Sequence, residues 1–490
     1  MTDSKNEAPT IFGHNYRYFI LALTIIGMVL LLSNTLILNF TVICMNPEQQ
    51  NATSAYSYSE AEKGWLFSAV AVGTLIGTIP ITEFLTRLGM RNVSMAYALI
   101  SAAATFFTPC AASLGFYWFF AMRAIQGFTA ALTFSGSGEV TASWSSLGKN
   151  GVFIGLLSSQ SQFSPMFTMP VAAAFCVSPY GWEGVHYFFG TLTVFCFALF
   201  YYYYRDSPRI HNSSQLRLLG DDDNARCLSS TMLVMKFFDL LLHVSQKEIA
   251  EIEDGTIERS AEPPQTPYLA ICMDPTILSI WLSWIGGAAA FNLLLQFGPT
   301  YLNKVFHFQI SRTGAATALP YISAFLVKFI GGLYSDRATC VSPRIRLILF
   351  NSICQLSIAA CFLLLALIPT NMAYLGYAAY AAAITANGLN VVGIIKCAHM
   401  VALQFIPFIL SGFAIISSLY LLLLPPFVSF MAPDNDQAQW ATIFYLICIL
   451  VVLANVFFTF ACRTDAAPWT RSVHKSNSIA FEVQRVPRKL

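Results

Sequence analysis

The stretch "YFILALTIIGMVLLLSNTLILNFTVIC", Tyr18 to Cys44, contains no charged residue. A bilayer core of ~30 Å needs roughly 20 mostly apolar residues in a helix, and this run exceeds that. It is also longer than the roughly 7–15 apolar residues of a cleavable secretory leader. It reads as a first membrane helix that is retained. The pattern recurs along the chain. Apolar runs fall at about 18–44, 63–83, 93–112, 117–138, 151–178 and 185–204, then at about 275–302, 314–334, 347–368, 373–395, 401–425 and 440–462. They form spans 1 to 12 in chain order.

Composition agrees. The 490 residues are 56% hydrophobic and 11% charged, with a mean hydropathy of +0.60, whereas soluble domains carry about 25% charged residues. The expected fold class is an all-α membrane protein with twelve transmembrane helices in two six-helix bundles, solvated by the lipid bilayer. A net charge of +2 offers no basic surface for nucleic acid. No GxxxxGK[ST], HExxH or GxSxG pattern appears, so an enzyme is not expected. The twelve cysteines include no CxxC pair and no histidine cluster, so neither a metal nor another cofactor is expected. Most lie in apolar runs as small buried hydrophobes. Cys44, Cys110 and Cys176 fall near the outer ends of spans, where one disulfide could join two of them.

Lysine and arginine orient the spans. With the N-terminus in the cytoplasm, the short inner loops hold Arg87, Arg91, Lys149, Arg337, Arg344, Arg346 and Lys396, against Lys63, Lys304 and Arg312 outside. Both termini are therefore expected in the cytoplasm. The glycosylation tripeptide at Asn51 falls in the first outer loop, where a glycan can be added; those at Asn92 and Asn212 fall inside. The expected organisation is a cytoplasmic N-terminus (1–17), a six-helix bundle (18–204), a cytoplasmic middle loop (205–267), a second six-helix bundle (268–465) and a basic tail (466–490). Within the middle loop, "STMLVMKFFDLLLHV", Ser230 to Val244, has the spacing of an amphipathic helix on the membrane face.

Six spans, a long polar loop and six more suggest a duplicated transporter. Short basic turns follow the second span of each half: "FLTRLGMR" (Phe84–Arg91) and "GGLYSDR" (Gly331–Arg337). The second resembles the Gly-x-x-x-Asp-Arg gating loop of the major facilitator superfamily, through Asp336 and Arg337. In the first, Thr86 stands where that pattern has an aspartate. Further stretches resemble the anion–cation symporter family of that superfamily, which includes sialin, the vesicular glutamate transporters and the sodium–phosphate cotransporters. They are "PYGWEGVHYFFG" (Pro179–Gly190), "FNLLLQFGPTYLNKVFHFQISRTGAATALPY" (Phe291–Tyr321), "MRAIQGF" with "SWSS", and "NGLNVVG" (Asn387–Gly393).

That resemblance implies a small anionic substrate, organic or inorganic, coupled to protons or sodium and carried by alternating access. Residue by residue, the family's charges are mostly replaced. Its span-1 arginine falls on Ser33, the vesicular span-2 histidine on Phe67, the acidic residue after the span-4 arginine on Ala130, and the vesicular span-7 arginine on Gly287. The span-4 arginine is kept, as Arg123. No Asp or Glu lies at the centre of a span, so a facilitator driven by the solute gradient stands beside a symporter. A receptor or binding protein without flux, and a uniporter for a neutral solute, are further alternatives.

Arg123 shares its helical face with Gln126 and Gly127. An arginine inside a span is costly; here it either meets an anion in a hydrated cavity, as a planar guanidinium suits, or snorkels to the interface. Lys328 in span 8 has the same two readings, with Asp336 as a candidate ion partner. The uncharged substrate-binding candidates are Ser33, Asn34, Gln160, Gln162, Asn292, Gln296, Asn387 and Asn390. Each amide could instead be a bond between helices. Plasma membrane and endolysosomal or vesicular membranes both fit.

Overall fold

A computed structural model describes residues 16–45, 58–145, 150–206, 267–337 and 341–470. Among these, all regular structure is helical. Ten helices are long and apolar enough to cross a membrane. Spans 4 and 5 complete the twelve, each in two pieces: Phe116–Ala130 with Leu132–Trp144, and Asn150–Leu157 with Gln160–Cys176. The amphipathic stretch 230–244 and Asn51 lie outside the described residues.

The breaks have local causes. Around the first, Thr129 Oγ1 donates to the Gln126 carbonyl at 2.8 Å and Thr133 Oγ1 to the Ala130 carbonyl at 2.7 Å. At the second, Ser158 and Ser159 both donate to the Gly155 carbonyl, each at 2.9 Å. Hydroxyls that compete for helical carbonyls bend a helix.

The chain divides into two compact units. One holds the described residues 16–35, 73–145, 150–164 and 183–206; the other holds 36–45, 58–72, 165–182, 267–337 and 341–470.

In the first unit, spans 2 and 4 meet at Gly73 and Gly77. A Cβ at either would collide with a backbone carbonyl of span 4, that of Ala124 or Phe128, and Thr74 Oγ1 donates to the Gly127 carbonyl at 3.0 Å. This small-xxx-small contact lets two backbones touch. Spans 2 and 3 form one helical run, Glu60–Leu114, kinked at Gly89 with φ 77°. Only glycine takes that backbone without strain. Asp206, beyond span 6, caps the kink: its carboxylate accepts from the Arg91 amide at 3.1 Å. The Arg91 guanidinium lies 4.0 Å from the Tyr201 ring centroid. An aspartate thus serves this turn from the segment after span 6, whereas the loop itself has Thr86.

The second unit shows the start signals expected of helices. Asp274 caps the span-7 helix Pro275–Lys304 through the Thr276 amide at 2.9 Å. Asp436 and Gln439 form a capping box on Gln437–Ala461. Asp274 also pairs with Arg463 and accepts from Trp469 Nε1 at 3.0 Å, tying the segment after span 12 to the start of span 7. Cys44 and Cys176 form a disulfide across 132 residues of sequence, so two of the three candidate cysteines are joined; Cys110 is free.

Span 11 differs from expectation. Its helix runs Ile406–Met431 rather than 401–425. Pro407 lies in its first turn, where a missing N–H costs nothing. The chain reverses just before it, at Leu403 with φ 46°. Span 10 is irregular too. Its helix Ala373–Asn387 gives way to a π-helical turn, Val391–Ile395, before Lys396–Ala402.

Candidate substrate site

The first unit holds several groups of buried polar side chains. Arg123 is 2% exposed, within the span-4 helix. Its Nη1 donates to Gln126 Oε1 at 2.8 Å. Gln126 Nε2 donates in turn to Thr105 Oγ1 at 3.1 Å and Thr108 Oγ1 at 3.3 Å, both on span 3. Gln126 thus ties the guanidinium on span 4 to the hydroxyls of span 3. Ser33 Oγ lies 3.2 Å from Ser164 Oγ and donates to the Val29 carbonyl. Asn34 gives its amide hydrogens to Ser101 Oγ at 3.0 Å and Thr193 Oγ1 at 3.2 Å, bonding spans 1, 3 and 6. Gln162 is buried and its Oε1 accepts from Ser161. Gln160 Nε2 reaches the Thr133 carbonyl.

The second unit holds a larger amide network. Ser283 Oγ donates to Asn351 Oδ1 at 3.2 Å, and Asn351 Nδ2 to Asn455 Oδ1 at 3.1 Å. Gln355 Nε2 donates to the Ser283 carbonyl at 2.9 Å and to Ser283 Oγ at 3.2 Å. Asn387 Nδ2 donates to the Gly287 carbonyl at 3.1 Å. Asn390 stands beside Gly287: a Cβ there would lie 2.5 Å from Asn390 Nδ2 and 3.5 Å from Gln355 Nε2. Gln355 is fully buried and Asn390 is 5% exposed. Among the described residues, neither Gln355 Oε1 nor Asn390 Oδ1 has a hydrogen-bond donor. A buried acceptor left so costs about 1–3 kcal/mol.

The other candidates stand apart from this corner. Asn292 Nδ2 bonds its own helix at the Ala288 carbonyl. Gln296 is buried, and among the described residues its Oε1 has no hydrogen-bond partner. Lys328 is buried, 7% exposed, on the span-8 helix Ile310–Arg337. Asp336 and Arg337 end that helix, and their side chains lie outside the described residues. The sequence reading passed over Gln355, Asn351 and Asn455, which sit in spans 9 and 12. It also passed over Thr105 and Thr108, although Ser101, Thr105 and Thr108 follow helical spacing on one face of span 3.

The described helices match known transporters. The chain resembles human sialin, at 22% identity over 445 residues that cover 86% of this chain and 79% of sialin. It also resembles mouse sodium-dependent phosphate transport protein 3, at 23% over 287 residues, 58% of this chain and 53% of that protein. These are relatives of the anion–cation symporter kind that the sequence motifs suggested. Among solved structures, a bacterial homolog of the human lysosomal transporter Spinster, inward-facing and unoccupied, superposes with a TM-score of 0.61 at 15% identity. That match covers 92% of this chain and 97% of the homolog. The protein is a multi-pass membrane transporter working by alternating access, not an enzyme. With its profile matching residues 17–404, the family is shown: the chain belongs to the major facilitator superfamily.

Proposed function

We propose that the protein carries a small anionic solute and that Arg123 recognises its negative group. One observation carries this reading: a guanidinium 2% exposed inside a membrane helix, bonded to the neutral Gln126. A planar guanidinium held inside a span suits recognition of a carboxylate or phosphate. The sodium-dependent phosphate transport proteins among the relatives support an anion by their name. Lys328 and the buried amides Gln162, Asn292, Gln296 and Asn390, with Ser33, complete the proposed set of solute-contacting residues, and Asp336 and Arg337 belong to a proposed gating loop. Asn34, whose amide hydrogens already bond two neighbouring spans, is its weakest member.

The test is uptake into proteoliposomes, using a panel of labelled organic anions and phosphate, by wild type, Arg123→Ala and Arg123→Lys. Arg123→Ala abolishes uptake at unchanged abundance. Arg123→Lys keeps the charge without the planar fork and retains a fraction. Normal transport by Arg123→Ala ends the anion reading.

A second reading concerns coupling. The absence of Asp and Glu from the span centres favours a facilitator over a proton symporter. Uptake then persists when a protonophore collapses the proton gradient; its loss restores the symporter.

Both termini are proposed to face the cytoplasm, in a plasma, vesicular or endolysosomal membrane. The disulfide between Cys44 and Cys176 supports this, because such bonds persist in oxidising compartments.

A further inference from the structure

We propose that Cys397 and Cys462 form an oxidation site: hydrogen peroxide joins them in a disulfide that ties the C-terminal end of span 10 to that of span 12. Both residues lie in the second unit, and the inference goes beyond the transport reading because it holds whatever the solute is.

Three observations lead there. The first is distance. The two Sγ atoms stand 3.8 Å apart, so reaching the S–S bond length of about 2.05 Å needs only a small turn of each side chain. The second is the frame that keeps them there. Cys397 sits on the short helix Lys396–Ala402, and Cys462 caps Gln437–Ala461. The Cys397 thiol donates to the Arg463 carbonyl at 3.5 Å. The Ala467 amide donates to the Val401 carbonyl at 3.0 Å, and Arg344 Nε to the Cys462 carbonyl at 2.8 Å. Both cysteines belong to one buried apolar cluster. A thiol buried in apolar surroundings is inert, so the reaction waits for an opening. The third observation is a backbone able to open. The helix 396–402 lies between the π-helical turn Val391–Ile395 and the reversal at Leu403. Breaks at both ends let this piece move as a unit.

The pair is a free dithiol. Lys396 and Arg463 flank it and put it on the cytoplasmic side of the proposed orientation, where thiols are kept reduced. Among the described residues no third His, Cys, Asp or Glu joins it, so it lacks the ligand set of a zinc site. Peroxide supplies the oxidant. One sulfur attacks a peroxide oxygen: the S–O bond forms, the O–O bond breaks and water leaves, giving a sulfenic acid. The second thiol displaces the hydroxyl as another water, and the S–S bond forms. Each sulfur gives up one electron; the peroxide takes both electrons and both thiol protons.

The experiment uses the full chain in nanodiscs, as wild type, Cys397→Ala and Cys462→Ala, before and after hydrogen peroxide quenched with catalase. Thiols are blocked with N-ethylmaleimide, and an unreduced digest is read by mass spectrometry for disulfide-linked peptides. The Cys44–Cys176 pair, joined beforehand, calibrates the readout. Peroxide is expected to raise the linked Cys397–Cys462 peptide of the wild type about tenfold or more. Hydrogen exchange across 391–402 then slows. The unfolding temperature rises by about 2 °C or more, since the bond closes a loop of 65 residues. Neither alanine variant gains the protection or the rise.

No linked Cys397–Cys462 peptide after peroxide would overturn the proposal. So would linkage of either cysteine to a different one, oxidation of either to a sulfinic acid without linkage, or linkage found only in protein unfolded before treatment. Linkage with unchanged hydrogen exchange would remove the tie between the two spans, and protection that also appears in Cys397→Ala would trace it to another residue.

Discussion

Arg123 and Asn34 show how differently a polar side chain inside a membrane helix can be used. Asn34 spends its amide hydrogens on Ser101 and Thr193, bonds worth about 0.6 kcal/mol each in membrane bundles. Its role is explained by helix packing. Arg123 is bonded to Gln126, and Gln126 to two threonines. That chain of bonds holds the guanidinium in place. Gln126→Glu should change this with hardly any change of shape, because the new carboxylate would sit 2.8 Å from Arg123 Nη1. The internal ion pair would then compete with the solute. Expected are normal folding by size-exclusion chromatography and a fall in anion uptake of about tenfold or more, the equivalent of about 1.4 kcal/mol of lost binding. Uptake unchanged by Gln126→Glu would mean that the solute does not meet Arg123.

At the scale of the element, close packing between helices decides more than hydrophobicity. Gly73 and Gly77 seat span 2 directly on the backbone of span 4. Gly73→Ala places a methyl group against the Ala124 carbonyl, which cannot move without shifting the helix. Overpacking of that kind costs about 1–3 kcal/mol. Lower abundance and a lower unfolding temperature should follow, without a change in the KM of whatever protein remains folded. A purely kinetic effect at full stability would place Gly73 in the moving parts rather than the scaffold.

The same scale shows what the sequence made legible. Apolar length identified the twelve spans, and the span-4 arginine could be read with its Gln126 partner from helical spacing alone. The register of span 11 could not be read. Its apolar run is continuous with the end of span 10, and the reversal at Leu403 has no glycine to announce it. The amide corner beside Gly287 was half legible. Asn390 stood out, whereas Gln355 was passed over, and only packing against Ser283 gives it a direction. Likewise, Asp206 could not be matched to the Gly89 turn, because the two are joined by tertiary structure and not by spacing.

For the whole molecule, the disulfide and the charge pattern make one joint statement about the membrane. Cys44 follows span 1 and Cys176 ends span 5, and the positive-inside pattern puts both at the outer face. If that is right, the bond forms in an oxidising compartment and the basic tail lies on the opposite side. In sealed, right-side-out vesicles, a membrane-impermeant maleimide should label Cys44 and Cys176 only after treatment with an impermeant reductant. An epitope appended after Leu490 should stay shielded from external protease. Closing a loop of 132 residues also restricts the unfolded chain, and a disulfide of this kind typically adds about 2–4 kcal/mol. Cys44→Ser should therefore lower the unfolding temperature, and reductant should lower the wild type by the same amount while leaving Cys44→Ser unmoved. Maleimide labelling of both cysteines without reduction would show that the bond does not form. Protease access to the tail from the same side would show that the orientation drawn from the basic residues is inverted.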